Sequence, residues 1–162
     1  MKANSRFVIM IWFTVTLAVV SALITLYWTL GGTIGLRTVG GGIEKLAKER
    51  SSAGLALGVA TVALKLFASG MHYWLSRRAG RLILLLNAGA ALLLMLWGGL
   101  NVFVGSLVLM GIIGETLVGD NLYALKWHVF FWDAYFLIWG VAVGYVVYKL
   151  WRLTPRTAVR RE

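Results

Sequence analysis

Four long apolar stretches, separated by short polar segments, dominate the sequence. They cover approximately residues 7–30, 53–76, 82–113 and 130–150. A helix needs about 20 apolar residues to cross the hydrocarbon core of a bilayer, and each stretch meets that length. The pattern predicts an all-α integral membrane bundle of four transmembrane helices, built as one domain over residues 1–162. The third stretch exceeds this length, so its helix must tilt, project or break near Gly98 and Gly99 or at Gly111.

The second stretch carries a lysine near its centre. Lys65 lies among uncharged residues, where an amine costs on the order of 3 kcal/mol to insert and usually persists because a partner, a cavity or a function keeps it. At about 100° per residue, the lysine belongs to a face of small and polar side chains. This face consists of Gly54, Gly58, Thr61, Lys65, Ser69 and His72. We expect it to point into the bundle.

The first stretch has a polar stripe of its own. Thr14, Ser21, Thr25 and Trp28 share one side of the helix and form a candidate bundle-facing surface. A cleaved signal peptide, with its cleavage site at 20–22, is the alternative interpretation. The apolar run continues well beyond the roughly 7–15 residues typical of a signal peptide, which favours a retained helix.

The segment between the first two stretches, residues 31–52, is rich in glycine and interrupts any continuous helix. Its second half places apolar residues on one edge and opposite charges at i,i+4 spacing on the other: Ile43, Leu46 and Ala47; Glu44 with Lys48; Lys45 with Glu49. This pattern predicts a short helix, which lies at the membrane surface or serves as a solvated connector. The glycines lack the lysine-serine pattern of a phosphate-binding loop.

Small and polar residues also share faces of the last two stretches. On the third stretch these are Asn87, Gly98, Asn101 and Gly105. A buried asparagine in a membrane helix usually bridges helices, and we favour that role over contact with a ligand. On the fourth stretch, Asp133 shares a face with Gly140 and Gly144, whose spacing suits close contact with a partner helix.

The basic residues indicate the orientation. The formal net charge is +10, and the amino terminus, the turn 77–81 and the tail hold two, three and five Lys or Arg residues, ten in all. The other two loops hold five. The positive-inside rule then places both termini in the cytoplasm of a protein of the plasma membrane. Because the charges flank apolar segments, the predicted partner is the lipid bilayer and not nucleic acid.

Few catalytic or metal-binding arrangements are available. The chain has no cysteine, which excludes disulfides and thiolate chemistry. A metal site needs several His, Asp or Glu side chains at ligand spacing. On a regular helix His128 and Asp133 lie about 140° apart, so they cannot chelate from one face. Glu115 and Asp120 join them only if the second loop folds back. We expect no metal, no cofactor and no catalytic set, and a structural hydrogen bond for His72.

Two segments resemble the signature of a known family. Residues 26–32 read Leu-Tyr-Trp-Thr-Leu-Gly-Gly. Residues 124–128 read Ala-Leu-Lys-Trp-His, residues 131–136 read Phe-Trp-Asp-Ala-Tyr-Phe, and Trp139 and Gly140 follow. They are similar to motifs of small bacterial membrane proteins grouped as domain of unknown function 3995. The resemblance implies a four-helix membrane protein with a lysine in its second helix, and it implies no activity.

Three functions of different classes remain open. The first is binding of a small anion or a lipid headgroup in an outward-facing polar cavity centred on Lys65. Its candidate ligand-binding residues are Lys65, Asp133, Asn101, His128, Thr61 and Ser69. The second is a structural or partner-binding role without a ligand, in which Lys65 bonds to Asn101, Thr61, Ser69 or a backbone carbonyl. The third is an enzyme acting on a lipid or isoprenoid, with Lys65 or His128 as acid or base.

Overall fold

The computed structural model describes residues 5–75, 77, 80–114 and 121–153. The loop carboxylates Glu115 and Asp120, Arg78 of the basic turn and the tail beyond residue 153 lie outside these residues. The helices are α1 (Ser5–Thr29), α2 (Leu36–Val39), α3 (Gly41–Glu49), α4 (Ser52–Leu75), α5 (Arg81–Leu109), α6 (Leu122–Trp127) and α7 (Asp133–Leu153). A π-helical segment, His128–Trp132, connects α6 to α7 without interruption. The described part of the chain contains no strand.

The prediction of four membrane-length helices is confirmed. The helices α1, α4 and α5 and the continuous unit Leu122–Leu153 are each long and apolar enough to cross a membrane. The third helix ends at Leu109, and Gly111 follows with a φ of 70°, so the chain breaks near Gly111 and continues through Gly98 and Gly99. A left-handed φ at this position suits glycine, which has no Cβ to clash with the backbone.

The four long helices pack as two pairs. Helix α1 lies mainly against α4, and α5 lies mainly against α7. Smaller contacts between α1 and α7 and between α4 and α5 join the pairs. A core of small and branched side chains, including Ala18, Val143 and Val146, fills the centre. Large apolar side chains such as Leu93 (70% exposed) cover the outside, as expected for a surface that faces lipid.

Glycines set the close approach of α5 to α7. A Cβ atom at Gly98 would lie 2.5 Å from the carbonyl oxygen of Asp133, and one at Gly140 would lie 2.8 Å from the backbone nitrogen of Met95. Backbones in contact leave no room for a larger residue. Gly140 is therefore buried against α5 within the chain, while Gly144 is half-buried at the same contact.

The first loop is folded and packs on the bundle. The predicted short helix forms as α3, and the predicted Glu44–Lys48 pair joins its turns at 2.5 Å. Helix α2 was not expected, and it forms where the glycines on either side, Gly35 and Gly40, adopt φ values of 74° and 61°. These left-handed positions turn the chain sharply enough for α2 and α3 to lie across the ends of the long helices.

Candidate functional site

Lys65 reaches from α4 to α1. Its Nζ atom lies 2.7 Å from Oγ1 of Thr25 and 3.3 Å from the carbonyl oxygen of Ser21. The Thr25 hydroxyl donates its own hydrogen to the Ser21 carbonyl, which leaves its oxygen free to accept from the amine. The Phe136 ring lies beside the amine, with its centroid 5.9 Å from Nζ. The predicted backbone-carbonyl partner is thus confirmed at Ser21. The predicted partners Asn101, Thr61 and Ser69 are wrong, because the amine reaches α1, the main neighbour of α4.

A pocket of about 410 Å³ lies beside Lys65, between α1, α3, α4 and the π-helical segment. Four members of the predicted small polar face line it: Gly54, Gly58, Thr61 and Lys65. From Gly54 to Lys65 the pocket follows α4 for about 16 Å, at about 1.5 Å per residue. Arg50 lies at the end nearer α3, so the pocket has a basic residue at each end.

The walls of the pocket are mainly apolar, whereas the sequence predicted a polar cavity. Trp28 of α1 and Trp132 and Phe136 of the last helical unit form an aromatic side. Ile43 and Leu46 of α3 form part of the opposite side. The apolar edge of α3 thus covers the pocket. The small polar face of α4 alone did not indicate these apolar walls.

The basic residues of the pocket have no carboxylate partner within the part of the chain that the structure describes. Three carboxylates belong to that part, and each has a basic partner elsewhere. Glu44 pairs with Lys48, and Glu49 pairs with Lys45, both along the exposed side of α3. Asp133 pairs with His128. Lys65 and Arg50 therefore give the pocket a positive charge.

His128 begins the π-helical segment and links three parts of the chain. Its Nδ1 atom lies 3.1 Å from Oδ2 of Asp133, and its Nε2 atom lies 2.9 Å from the carbonyl oxygen of Val39. The prediction that a regular helix separates His128 from Asp133 is wrong, because the helix is not regular here. The Asp133 amide donates to the His128 carbonyl, the i→i+5 bond of a π-helix, which aligns the two residues.

Both ring nitrogens of His128 thus face acceptors. The Val39 carbonyl can only accept, so Nε2 carries a hydrogen. An ionised Asp133 can also only accept, so Nδ1 carries a hydrogen as well. The buried carboxylate of Asp133 (4% exposed) therefore favours the imidazolium form. Next to it, Trp132 Nε1 donates to Thr38 Oγ1 at 3.0 Å. These bonds fasten α2 to the last helical unit and fix one wall of the pocket.

The structure brings together half of the candidate binding residues. Lys65, Thr61 and His128 line the pocket. Asp133 is buried behind His128 and is not among the lining residues. Asn101 donates to the Trp97 carbonyl of its own helix at 2.8 Å, and Ser69 is buried; neither lines the pocket.

Sequence reasoning missed three residues of this site: Ser21, Thr25 and Arg50. The first two belong to the polar stripe predicted on α1, so the stripe itself indicated them once α1 is known to lie against α4. No pattern indicated Arg50. Its side chain packs on Gly31, where a Cβ atom would lie 2.8 Å from Nη1.

A second polar cluster lies towards the other end of α4. Trp139 Nε1 donates to His72 Nε2 at 3.2 Å, His72 Nδ1 lies 2.5 Å from Asn87 Oδ1, and Asn87 Nδ2 donates to the Ile83 carbonyl at 2.8 Å. An indole is a donor only, so Nε2 of His72 accepts and Nδ1 carries the hydrogen. His72 is thus neutral, with a fixed tautomer, and every group of the cluster has its partner.

The described residues contain no group of three or more His, Asp or Glu side chains placed to hold a metal ion. The arrangement offers instead a basic amine at the inner end of an apolar pocket and a histidine held between a carboxylate and a carbonyl. Such a site can bind an acidic group by charge and hydrogen bonding.

Comparison with known proteins gives one result. No curated protein and no solved structure matches the chain significantly. The model of a protein family described as protein of unknown function (DUF3995) matches residues 18–143. That range includes most of the chain, from the middle of α1 to the middle of α7, and it confirms the resemblance of the two sequence segments. The chain belongs to the DUF3995 family.

Proposed function

We propose that this protein is a multi-pass protein of the plasma membrane that binds the acidic group of a ligand at Lys65. Four membrane-length helices and the excess of basic residues in the termini and the turn 77–81 support the location, with both termini in the cytoplasm. In this orientation α3 and the end of the pocket near Arg50 lie at the outer surface. The apolar edge of α3 then lies at the level of the lipid headgroups.

One observation carries the proposal: the Lys65 amine lines a pocket and has no carboxylate partner in the described chain. An ammonium group has three N–H donors. Two are directed at Thr25 and Ser21, which are neutral acceptors. A charge removed from water without a counter-ion is costly, and an acidic ligand supplies the missing charge together with the third acceptor.

One observation also favours an alternative, in which Lys65 has a structural role. The two bonds of Lys65 tie α4 to α1, and no buried side-chain nitrogen or oxygen of the described residues lacks a partner. In that case the pocket is a packing defect and the lysine is a strut between helices. The two functions predict different results on extraction from the membrane, because only the binding function predicts an acidic molecule that co-purifies with the protein.

Co-purification tests the proposal. We expect wild-type protein, extracted under mild conditions, to carry an acidic small molecule or lipid that negative-ion mass spectrometry detects. Lys65→Met should lose it. Lys45→Met is the matched control, because the Lys45 side chain is 74% exposed on α3 and lies outside the pocket lining. Identical acidic profiles in wild type and Lys65→Met would refute anion binding and leave the structural role.

Single cysteines test the location, since the natural chain has none. We choose two exposed positions, Lys45 on α3 and Arg77 in the turn between α4 and α5. In intact cells Lys45→Cys should react with an impermeant maleimide, and Arg77→Cys should react only after the membrane is opened. The reverse pattern would invert the proposed topology.

A further inference from the structure

We propose that the ligand of this pocket is a single-chain monoacidic amphiphile, of which a long-chain carboxylic acid is the simplest example. Its acidic group binds Lys65, and its apolar chain lies along α4 beneath α3. This inference rests on the proposed binding of an acidic group at Lys65. It adds the class of ligand, and the argument for that class comes from the walls of the pocket and not from the amine.

The apolar walls argue against a hydrated inorganic anion. Most of the lining is apolar, and it includes the aromatic side chains of Trp28, Trp132 and Phe136 and the aliphatic side chains of Ile43 and Leu46. A small hydrophilic anion would leave these surfaces in contact with water or empty. A ligand with an apolar body covers them, and burial of apolar surface is favourable at about 25 cal/mol per Å².

The shape of the pocket argues for one chain. The pocket has a volume of about 410 Å³ and follows α4 for about 16 Å. These dimensions suit a single extended alkyl chain better than the two chains of a phospholipid or a sugar. The volume falls within the range of about 300–1,000 Å³ that small-molecule sites occupy.

The charges orient the ligand. The Lys65 amine lies at the inner end, among mainly apolar walls, where an ion pair with an acid is stronger than in water. Arg50 lies at the outer end and is exposed, so it attracts anions towards the opening but contributes little to holding them. A positively charged or neutral amphiphile leaves the Lys65 charge uncompensated. The pocket therefore selects an acid over an alcohol or an amine of equal length.

Native mass spectrometry of the full chain, released from a non-ionic detergent, tests this inference with defined probes. The probes are dodecanoate, hexanoate, dodecanol, dodecyltrimethylammonium and inorganic phosphate. We expect one dodecanoate per chain, bound at least tenfold more tightly than hexanoate, because each added methylene contributes about threefold to fourfold. Dodecanol and dodecyltrimethylammonium should bind at least tenfold more weakly than dodecanoate, and Lys65→Met should reduce dodecanoate binding to the level of the alcohol.

A steric variant tests the position of the chain. Ala47 lies on α3 and lines the pocket, so Ala47→Trp should fill the slot and weaken dodecanoate binding at least tenfold. Ala60→Trp is the matched control, since Ala60 is an exposed residue of α4 outside the lining. Its binding should equal that of wild type. Dodecanoate binding that is unchanged in Ala47→Trp would place the chain elsewhere and overturn the inference.

The outcomes separate this inference from the function on which it rests. Phosphate or hexanoate that binds as tightly as dodecanoate, and that is lost in Lys65→Met, would overturn the amphiphile while supporting an acid-binding lysine. No Lys65-dependent binding of any acid would overturn both. Dodecanol that binds as tightly as dodecanoate would mean an apolar pocket without charge selection, which also contradicts both.

Discussion

Two polar sites on one face of α4 have opposite characters. The cluster of His72, Asn87 and Trp139 is buried, and each donor meets an acceptor in an unbroken chain. Lys65 lies about two turns away, beside a pocket, with a charge that its neutral acceptors do not balance. Sequence gives both residues the same description, a polar side chain in an apolar helix. The balance of donors, acceptors and charges is what separates a packing element from a binding site.

The difference follows from the neighbours that α4 meets at each site. Near His72, α5 supplies the Asn87 amide and α7 supplies the Trp139 indole, which together match both ring nitrogens. Near Lys65, α1 supplies a hydroxyl and a carbonyl but no carboxylate. Coupled hydrogen bonds at the first site specify how the helices pack. At the second site the charge is not balanced, and this is the basis of the proposed binding of an acidic group.

The largest effect on stability is expected when the closed hydrogen-bonded cluster of His72, Asn87 and Trp139 loses an acceptor. Asn87→Leu keeps the approximate shape of the side chain but removes the acceptor of His72 Nδ1–H. A buried donor without a partner costs about 1–3 kcal/mol, so thermal unfolding in neutral lipid nanodiscs should show this loss of stability. Binding of an acidic ligand at Lys65 should not change.

Asn101→Leu is the matched control for that experiment. It makes the same substitution on the same helix, at a half-exposed residue whose amide bonds only to the Trp97 carbonyl of its own turn. Its stability should stay within about 0.5 kcal/mol of wild type. Equal destabilisation by the two substitutions would show that the His72 cluster has no special structural role.

A smaller effect is expected at the histidine that fixes the pocket wall. His128→Gln can donate to Val39 or to Asp133 but not to both, which removes one hydrogen bond worth about 1 kcal/mol. Amide hydrogen exchange should rise over α2 and α3, because the loop loses part of its attachment. Lys126→Gln, an exposed change two residues earlier, should leave exchange as in wild type. Unchanged exchange in His128→Gln would mean that the loop is held by other contacts.

The sequence predicted well which residues share a face of a helix, and it predicted poorly which side chains contact one another between helices. The small polar face of α4 was correct, and so were Asn87, Gly98 and Gly105 on α5, which are buried. A regular helix places residues at about 100° intervals whatever surrounds it. Of the predicted partners of Lys65, the backbone carbonyl was right and the three side chains were wrong, since periodicity gives the direction of a side chain but not the helix that it meets. The His128–Asp133 pair was missed because a π-helical insertion changes the angle between two residues. Helix α2 was missed because its four residues are too few to show an apolar repeat.

The smallest effect on stability is expected at Lys65. In protein stripped of acidic ligand, Lys65→Met removes a charge from an apolar environment and leaves a side chain of similar length. The acceptors it abandons keep partners, because the Thr25 hydroxyl still donates to the Ser21 carbonyl. Replacement of buried charges by apolar groups is often neutral or stabilising. We therefore expect an unfolding temperature equal to or above that of wild type.

The dependence of this result on ligand separates a binding lysine from a strut. For a strut that joins α4 to α1, Lys65→Met changes the unfolding temperature equally with and without dodecanoate. A binding lysine stabilises the fold only when its ligand is bound, through mass action. Thermal unfolding of wild type and Lys65→Met, each with and without dodecanoate, measures both terms. A loss of stability in the stripped variant as large as that of Asn87→Leu would make Lys65 a second closed cluster, and the contrast between the two sites on α4 would disappear.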